Sequence, residues 1–380
     1  MDFNFTEEQQ LLADTVRRFL REHYTFEARR GILKSPQGWS REVWNELAGL
    51  GLTALNVPEG YGGLNAGPVD TMLVMNALGE ALVVEPYLAA AVLTPALLTH
   101  LNDDEAASEL LPSIASGERI VIVAHQEPKT RGELDHVTTR AQTTADGYVL
   151  DGYKNVVMHA GAADELLVTA RTGGKTDEAE GISLFRVDPP AAGVTIKAYR
   201  TLDGQSAADI EFANLRLPAT SRIGAEGKAF AAIEAAHGIA LSALCAEAVG
   251  IMKAVNATTL EYTRSRKQFG QPIARFQVLQ HRMADMFLHS EQAVSMSYLA
   301  AIKCTEPEAA ERQRALSAAK VVIGQAGRFI AQQSIQLHGG MGMTDELMVS
   351  HYFKRLTAID LSLGDVDFHT QRFIALTHPG

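Results

Sequence analysis

The sequence has little cysteine and no pattern of metal ligands. Only Cys245 and Cys304 occur among 380 residues, which is too few for a disulfide framework or a metal knuckle. Both lie in helical patterns, where the expected role is that of a small buried apolar residue. The 12 histidines are scattered without the spacing of metal ligands. The sequence therefore predicts neither a disulfide scaffold nor a metal site.

Long basic stretches and long apolar runs are also missing. The formal net charge is −11, which argues against nucleic acid or an anionic membrane as the main partner. No segment approaches the uninterrupted apolar length of a membrane span. The first residues lack the basic and apolar regions of a signal peptide, so a cytoplasmic location is expected. The net charge does not exclude binding of a small anionic ligand, because a few local cations can outweigh it at one site.

The chain is long enough for more than one domain. At 380 residues it exceeds the size at which a single core stops growing, so two or three domains are expected. The spacing of apolar residues predicts an α+β protein in three parts. Residues 1–117 are expected to be helical, residues 118–218 to form a β-domain, and residues 219–380 to form a helical bundle.

Helix signals fill the first part. Thr6 and Gln9 form a capping-box pattern, Ser40 precedes a second helix, and Asp70 is expected to cap a third. Residues 58–63 are rich in glycine and predict an ordered loop.

In the middle part the apolar period changes to that of strands. Runs of β-branched and aromatic residues recur at roughly ten-residue spacing, and Asp146 and Gly147 stand between two of them as a strong hairpin signal. This predicts a central antiparallel, barrel-like β-domain that ends near Pro218.

Long helices with short breaks make up the last part. An apolar stripe runs from Leu241 to Val255, further helices are predicted over residues 276–304 and 309–337, and two shorter ones follow Asp345. Such helices pack as an antiparallel four-helix bundle. Apolar residues on more than one face, as at Val321 and Val322, predict burial against another subunit.

Two motifs in the last part are candidate phosphate contacts. Residues 264–273 combine basic residues with Phe269 and Gly270 at a helix end, which fits either a solvated helix terminus or a diphosphate site with Arg266 as bidentate donor. Residues 336–342 hold three glycines within four positions, more than a helix C-cap needs. Such a turn offers close backbone approach and free N–H donors.

Taken together, the motifs resemble the acyl-CoA dehydrogenase family. The similarity rests on Arg266-Lys-Gln-Phe-Gly, Gln336-Leu-His-Gly-Gly-Met-Gly, Val57-Pro-Glu-Gly-Tyr-Gly-Gly and Asp151-Gly-Tyr-Lys-Asn, and their order covers essentially the whole chain. The resemblance implies bound FAD and an acyl-CoA substrate of lipid metabolism. It also implies electron transfer to an electron-transfer flavoprotein and a homotetramer built as a dimer of dimers.

The resemblance also assigns cofactor contacts residue by residue. Arg266 matches the family's arginine to the FAD diphosphate, with Gln268 and Phe269 beside it, and Gln277 matches a position near the adenosine. The glycine motif, supplied by the neighbouring subunit, contributes the residues Gln336, His338, Gly339 and Gly340. Two strand ends of the β-domain match family segments facing the flavin, and they carry Gln126, Val156 and Met158.

Several positions depart from the family pattern. After Pro128 the usual small loop is replaced by residues 129–133, with Lys129, Arg131 and Glu133. Val156 stands where a tryptophan often covers the flavin, and Met158 where a hydroxyl donor follows. The pattern resembles a divergent bacterial branch, similar to pimeloyl-CoA dehydrogenase small subunits, whose two-component enzymes act on dicarboxylyl or steroid-side-chain thioesters.

By the same resemblance, Asp365 matches the glutamate that removes the substrate α-proton. Aspartate can do this chemistry, although it is one methylene shorter. The other interpretation of Asp365 is an N-cap of the last helix, with Asp367 as a first-turn acid. Glu247, in an apolar stretch of helix, is expected to be paired with an arginine rather than catalytic, since the position from which some relatives draw their base corresponds to Ala240.

We therefore expect an FAD-dependent dehydrogenase that converts an acyl-CoA to a 2,3-enoyl-CoA, with Asp365 as base and flavin N5 as hydride acceptor. Two alternatives remain at this point. The chain is a subunit of a heterotetramer that shares or supports an FAD site without its own base, or it is an oxygen-using flavoenzyme on the same fold.

Overall fold

The computed structural model describes residues 5–130 and 132–378, so Arg131 of the altered loop lies outside the described residues. The chain folds as two compact units, each assembled from separate segments. The first unit comprises Met1–Arg30, Pro68–Val83 and Leu241–Gly380, and the second comprises Gly31–Gly67 and Val84–Ala240. The predicted boundaries at residues 118 and 219 stay predictions.

Helices account for most of the described chain. In chain order they are α1 (Glu7–His23), α2 (Phe26–Lys34), α3 (Arg41–Gly49), α4 (Pro68–Ala81), α5 (Thr94–His100), α6 (Asp104–Ala115), α7 (Phe230–Ser265), α8 (Gln277–Lys303), α9 (Ala309–His338), α10 (Met348–Leu361) and α11 (Val366–Thr377).

The strands lie between α6 and α8. They are β1 (Val121–Ala124), β2 (Arg140–Thr144), β3 (Gly147–Met158), β4 (Glu165–Arg171), β5 (Ile182–Val187), β6 (Val194–Arg200), β7 (Ser206–Pro218), β8 (Arg222–Ile223), β9 (Lys267–Gln268) and β10 (Gln271–Pro272). The predicted α+β architecture, with helical, β and helical-bundle regions in that order, is confirmed.

The predicted helix starts are confirmed at two of three places. Thr6 and Gln9 form a complete capping box at α1, and the Ser40 side chain accepts the N–H of Val43 at α3. The prediction that Asp70 caps a helix is wrong, because α4 begins at Pro68 and Asp70 lies in its first turn. Proline is well suited to a first helical position, since its missing N–H has no partner there anyway.

Within the first unit, α4 and α7 cross at very close range. A Cβ added at Gly79 would lie 2.3 Å from the carbonyl oxygen of Glu247, and one added at Gly250 would lie 2.0 Å from that of Asn76. The Asn76 amide donates to Met72 O and Ala246 O. The two helices therefore pack backbone against backbone at these glycines, with no room for a side chain.

The predicted pairing of Glu247 is confirmed. Arg355 on α10 donates from Nε to Oε1 at 2.6 Å and from Nη2 to Oε2 at 2.7 Å, and both side chains are buried. A bidentate pair of this kind satisfies a carboxylate inside an apolar helix. Glu247 thus joins α7 to α10.

The helix α7 is both long and apolar. By length and composition it could cross a membrane, yet 78% of its apolar 18-residue stretch is buried inside the protein. A buried core helix explains this composition.

Both cysteines are also buried and free, as predicted.

One sheet dominates the second unit. Its strand order is β6-β7-β3-β2-β4-β5-β8, and β1 pairs with β4. The pairs along this order are antiparallel except for a single parallel bridge between β2 and β4, and β1 runs parallel to β4. The predicted hairpin is confirmed, because Thr144 pairs with Gly147 across the turn. The core under this sheet is formed with apolar side chains of α5, α6 and the start of α7.

Candidate active site

The basic end of α7 leads into a two-residue hairpin. β9 and β10 pair antiparallel, with Gln268 opposite Gln271, and Phe269 and Gly270 at the tip have φ of +52° and +79°. These values are typical of a type I′ turn, in which phenylalanine is rare. The Phe269 side chain is 91% exposed and contacts Phe276 only edge-on at 6.0 Å. It offers apolar surface to a ligand or another chain.

Arg266 lies at the base of this hairpin. Its carbonyl accepts the N–H of Ile273 at 2.9 Å, which closes the hairpin onto α7. The guanidinium is exposed, and among the described residues no hydrogen bond or ion pair of it is found. Gln268 and Gln277 are exposed as well. The hairpin therefore presents a free cation in the position that the sequence predicts for a diphosphate.

The glycine motif lies at the same end of the first unit. Gln336, Gly339 and Gly340 are exposed, Gly339 has φ +58°, and a Cβ added at either glycine would have no atom within 4 Å. Such a turn leaves room for a phosphate to approach the backbone N–H groups.

His338 has a different position from its neighbours. Its side chain is buried, Nδ1 contacts Ser334 O at 2.8 Å, and the ring stacks on Tyr262 at 4.3 Å. The Tyr262 hydroxyl donates to His338 O at 3.2 Å, and burial lowers the pKa of His338. The imidazole therefore ties the end of α9 to the last turns of α7, and its ring faces the protein interior.

In the second unit, a fully buried ion pair holds the strand ends that carry Gln126 and Val156. Lys154 Nζ donates to Glu127 Oε1 at 2.7 Å, to His125 O at 3.1 Å and to Thr169 Oγ1 at 3.0 Å. Burial lowers the pKa of Lys154 to about 8. Burial opposes ionisation of Glu127, but the charge of Lys154 and the hydrogen bonds outweigh it and lower the pKa of Glu127 to about 2. The pair is charged near neutrality.

A bulge in β3 places Val156 in a strained conformation. The register with β7 shifts between Lys154 and Val157, and Val156 has φ +50°, a value that β-branched residues rarely adopt. Asp209 Oδ1 accepts the Val156 N–H at 3.1 Å, so this N–H is not available to a ligand. The half-buried side chains of Val156 and Met158 contribute apolar surface.

Asp365 lies at the start of α11. Leu363 and Gly364 before it have φ of +55° and +92°, and the Asp365 Oδ1 accepts the N–H of Phe368 at 2.8 Å. The N-cap interpretation is therefore confirmed, and Asp367 lies in the first turn as predicted. The cap uses one oxygen of a half-buried carboxylate. The catalytic interpretation stays a prediction.

Sequence reasoning missed the roles of four polar residues around these positions. Asp209, the pair of Lys154 with Glu127, and Lys320 under the Asp365 loop all position candidate site residues. The signal for Lys320 is visible in retrospect, because it interrupts the small and branched apolar run of residues 318–323, where a charge needs a buried partner.

The structure groups the candidates within each unit. In the first unit, the Arg266 hairpin and the glycine motif share one end of the helices, while the Asp365 loop packs against Lys320 of α9, about 24 Å along the helix from Gln336. In the second unit, Val156 and Met158 lie on β3, and the carbonyl of Gln126, which follows β1, accepts the N–H of Asn155 on β3 at 3.0 Å. An exposed arginine and an open glycine turn suit a diphosphate, so these residues fit FAD. Within the described residues, no group of three or more His, Cys, Asp or Glu side chains is placed to hold a metal.

This fold and this set of contacts define a helical and β flavoprotein of the oxidoreductase class. The sequence matches the family models described as acyl-CoA dehydrogenase N-terminal domain over residues 6–118, middle domain over 123–215 and C-terminal domain over 238–372. The chain belongs to the acyl-CoA dehydrogenase family. It is an oxidoreductase of that family, whose members use FAD, take acyl-CoA substrates and form oligomers.

Individual relatives support the same assignment. The chain is 28% identical to the probable acyl-CoA dehydrogenase YngJ of Bacillus subtilis over 96% of each chain. Its structure is similar to that of the ChsE4-ChsE5 complex from Mycobacterium tuberculosis, with a TM-score of 0.87 and 26% identity over 100% of this chain and 99% of that chain. It is also similar to the FAD complex of PigA, with a TM-score of 0.89 and 25% identity over 100% of both chains.

Proposed function

We propose that the chain catalyses α,β-dehydrogenation of an acyl-CoA thioester, with Asp365 as the base that removes the α-proton. The observation that carries this proposal is the half-buried Asp365 carboxylate in a fixed loop, with Oδ1 in the helix cap and Oδ2 left for a proton. FAD, when bound, supplies the acceptor for the hydride that leaves the β-carbon. The products are a 2,3-enoyl-CoA and reduced cofactor, with the α-proton on Asp365.

The helix cap helps rather than hinders a short base. Because Oδ1 is fixed in the cap, Oδ2 has a defined direction. A longer glutamate side chain would have more conformational freedom at this position. The N–H of Phe368 holds Oδ1 at 2.8 Å, so the carboxylate is fixed to the first turn of α11.

The test distinguishes the role of Asp365 as a helix cap from its role as a base. Asparagine caps a helix about as well as aspartate but cannot take up a proton at neutral pH. Asp365→Asn should therefore keep FAD and stability, with anaerobic bleaching of the flavin by acyl-CoA at least 100-fold slower. Asp365→Ala should lose bleaching and, in addition, about 1 kcal/mol of unfolding free energy.

The matched control is Asp367→Asn, because Asp367 lies two residues further on and is exposed. This variant should bleach at nearly the wild-type rate. Normal bleaching by Asp365→Asn would remove Asp365 from the mechanism. Reduced flavin in the wild type should pass its electrons to an electron-transfer flavoprotein and react only slowly with oxygen, and rapid reoxidation by air would favour an oxygen-using enzyme instead.

A second candidate is a subunit of a heteromeric dehydrogenase that helps to form an FAD site without its own base. The cap made by Asp365 favours this function, because the carboxylate already has a structural role. The similarity to a complex of two different chains, ChsE4 and ChsE5, agrees with it. Expression alone and with a neighbouring homologous chain distinguishes the two. A homotetramer with full FAD content and activity would exclude the heteromeric function.

A further inference from the structure

Beneath the Asp365 loop lies a lysine with no solvent exposure. Lys320 is 0% exposed, and its Nζ donates to Asp360 O at 2.9 Å, Ser362 O at 2.9 Å and Gly364 O at 2.5 Å. An ammonium group has three donors, so these three carbonyls use all of them. Lys320 has no hydrogen left for a substrate, and its effect must act through the loop.

The loop is shaped around this ammonium. α10 ends at Leu361, and the left-handed φ of Leu363 and Gly364 turns alternate carbonyls of residues 360–364 to the same side. Leucine at φ +55° is unfavourable unless neighbouring contacts hold it. The carbonyls at the end of α10 also carry the negative end of the helix dipole, which a cation stabilises.

One face of α9 holds the rest of the segment. Ser317 Oγ contacts His369 Nδ1 at 3.1 Å, and Arg328 donates to Asp360 Oδ2 at 2.6 Å. At Gly324, a Cβ would lie 2.7 Å from Asp360 Oδ1 and from Val366 Cγ2. Residues 317, 320, 324 and 328 follow helical spacing, and Lys320 is the only one of them whose contacts reach the carbonyls on both sides of Leu363.

We propose that Lys320 is a positioning residue for proton abstraction, since its buried ammonium fixes the loop that aims the Asp365 carboxylate. This rests on the proposed function of Asp365. Burial also lowers the pKa of Lys320, and the three carbonyl dipoles offset part of the cost of burying the charge. A displacement of Asp365 by about 1 Å is enough to slow a positioned reaction by up to 100-fold.

The test uses Lys320→Met in the FAD-loaded protein, which keeps an unbranched apolar stem but removes the ammonium. Flavin reduction by acyl-CoA should slow by roughly 10- to 100-fold, while the dissociation constants of FAD and acyl-CoA change by less than about two-fold. Backbone amides of residues 362–369 should exchange with deuterium faster. The matched control is Lys303→Met, because Lys303 binds Glu306 and Glu311 at the end of α8 and does not contact the loop.

A second variant keeps the proposal testable if Lys320→Met does not fold. Lys320→Gln retains two N–H donors, so it should fold better and show a smaller effect of the same kind. Unchanged reduction and unchanged amide exchange in either variant would overturn the proposal. If the wild type is not reduced by acyl-CoA, the proposed function fails, whereas the amide exchange still decides whether Lys320 holds the loop.

Discussion

In the buried pair of Glu127 and Lys154, each charge offsets the free-energy cost of burying the other. Both side chains are 0% exposed, so the loss of one leaves a charge without compensation in a site from which water is excluded. Their hydrogen bonds join the segment that follows β1, at His125 and Glu127, to Lys154 of β3. The geometry of Gln126 and Val156 therefore depends on two residues that do not face a ligand.

Removal of one partner should be costly and removal of both much less so. Lys154→Met or Glu127→Gln alone should lower the unfolding free energy by about 3–5 kcal/mol, and the double variant by clearly less than the sum. Chemical denaturation of the four proteins measures this cycle. Additive losses would mean that the pair is not coupled.

The same pair makes stability depend on pH. The pKa of Glu127 is about 2 in the folded protein and 4.5 as its ordinary value, so the unfolded chain binds a proton more readily. The stabilisation is complete above about pH 4.5 and is lost as the pH falls toward 2. The double variant should lack this component of acid destabilisation, which denaturation curves between these pH values would show.

At the scale of elements, the β9–β10 hairpin combines an unfavourable turn residue with an exposed ring. Asparagine is favoured over phenylalanine in the first central position of a type I′ turn. Phe269→Asn should therefore raise the unfolding free energy of the isolated subunit by roughly 0.5–1 kcal/mol. The same change should weaken FAD retention or assembly, because it removes the apolar surface at the tip. A loss of stability without any change in FAD content would contradict both expectations.

The elements that sequence patterns predicted well are those with strong local signals. The capping box at Thr6, the Asp146-Gly147 hairpin and the long helices follow from local chemistry and periodicity. The parallel pairing of β1 with β4 has no local signal, since it joins strands that are distant in sequence. The Lys320 carbonyl cage could not be predicted either, because it depends on left-handed φ at Leu363, a residue type that gives no indication of it.

At the scale of the whole molecule, the assignment of one FAD to two chains can be tested by mixing variants. Arg266→Met removes the cation, and Gly340→Asp places an acid where a Cβ meets no atom within 4 Å, so both should fold but bind FAD poorly. If each site takes Arg266 from one chain and the glycine motif from its neighbour, a mixed dimer contains one intact site. Mixing should then restore up to half of the FAD bound per dimer.

Each variant alone serves as the control, and FAD absorbance after unfolding and remixing gives the measurement. No recovery on mixing, with mixed dimers shown by mass spectrometry, would place both motifs of a site in the same chain. That outcome would leave the family assignment intact but would change the predicted sharing of the cofactor.

The crossing of α4 and α7 at Gly79 and Gly250 has a consequence for biosynthesis. Because residues 68–83 pack backbone to backbone against a helix that follows them by some 170 positions, the earliest helices leave the ribosome long before their partner exists. Their apolar faces therefore stay exposed to water or bound to a chaperone until the last third of the chain is translated. Premature termination after the β-domain should therefore yield an aggregating fragment rather than a shorter folded protein.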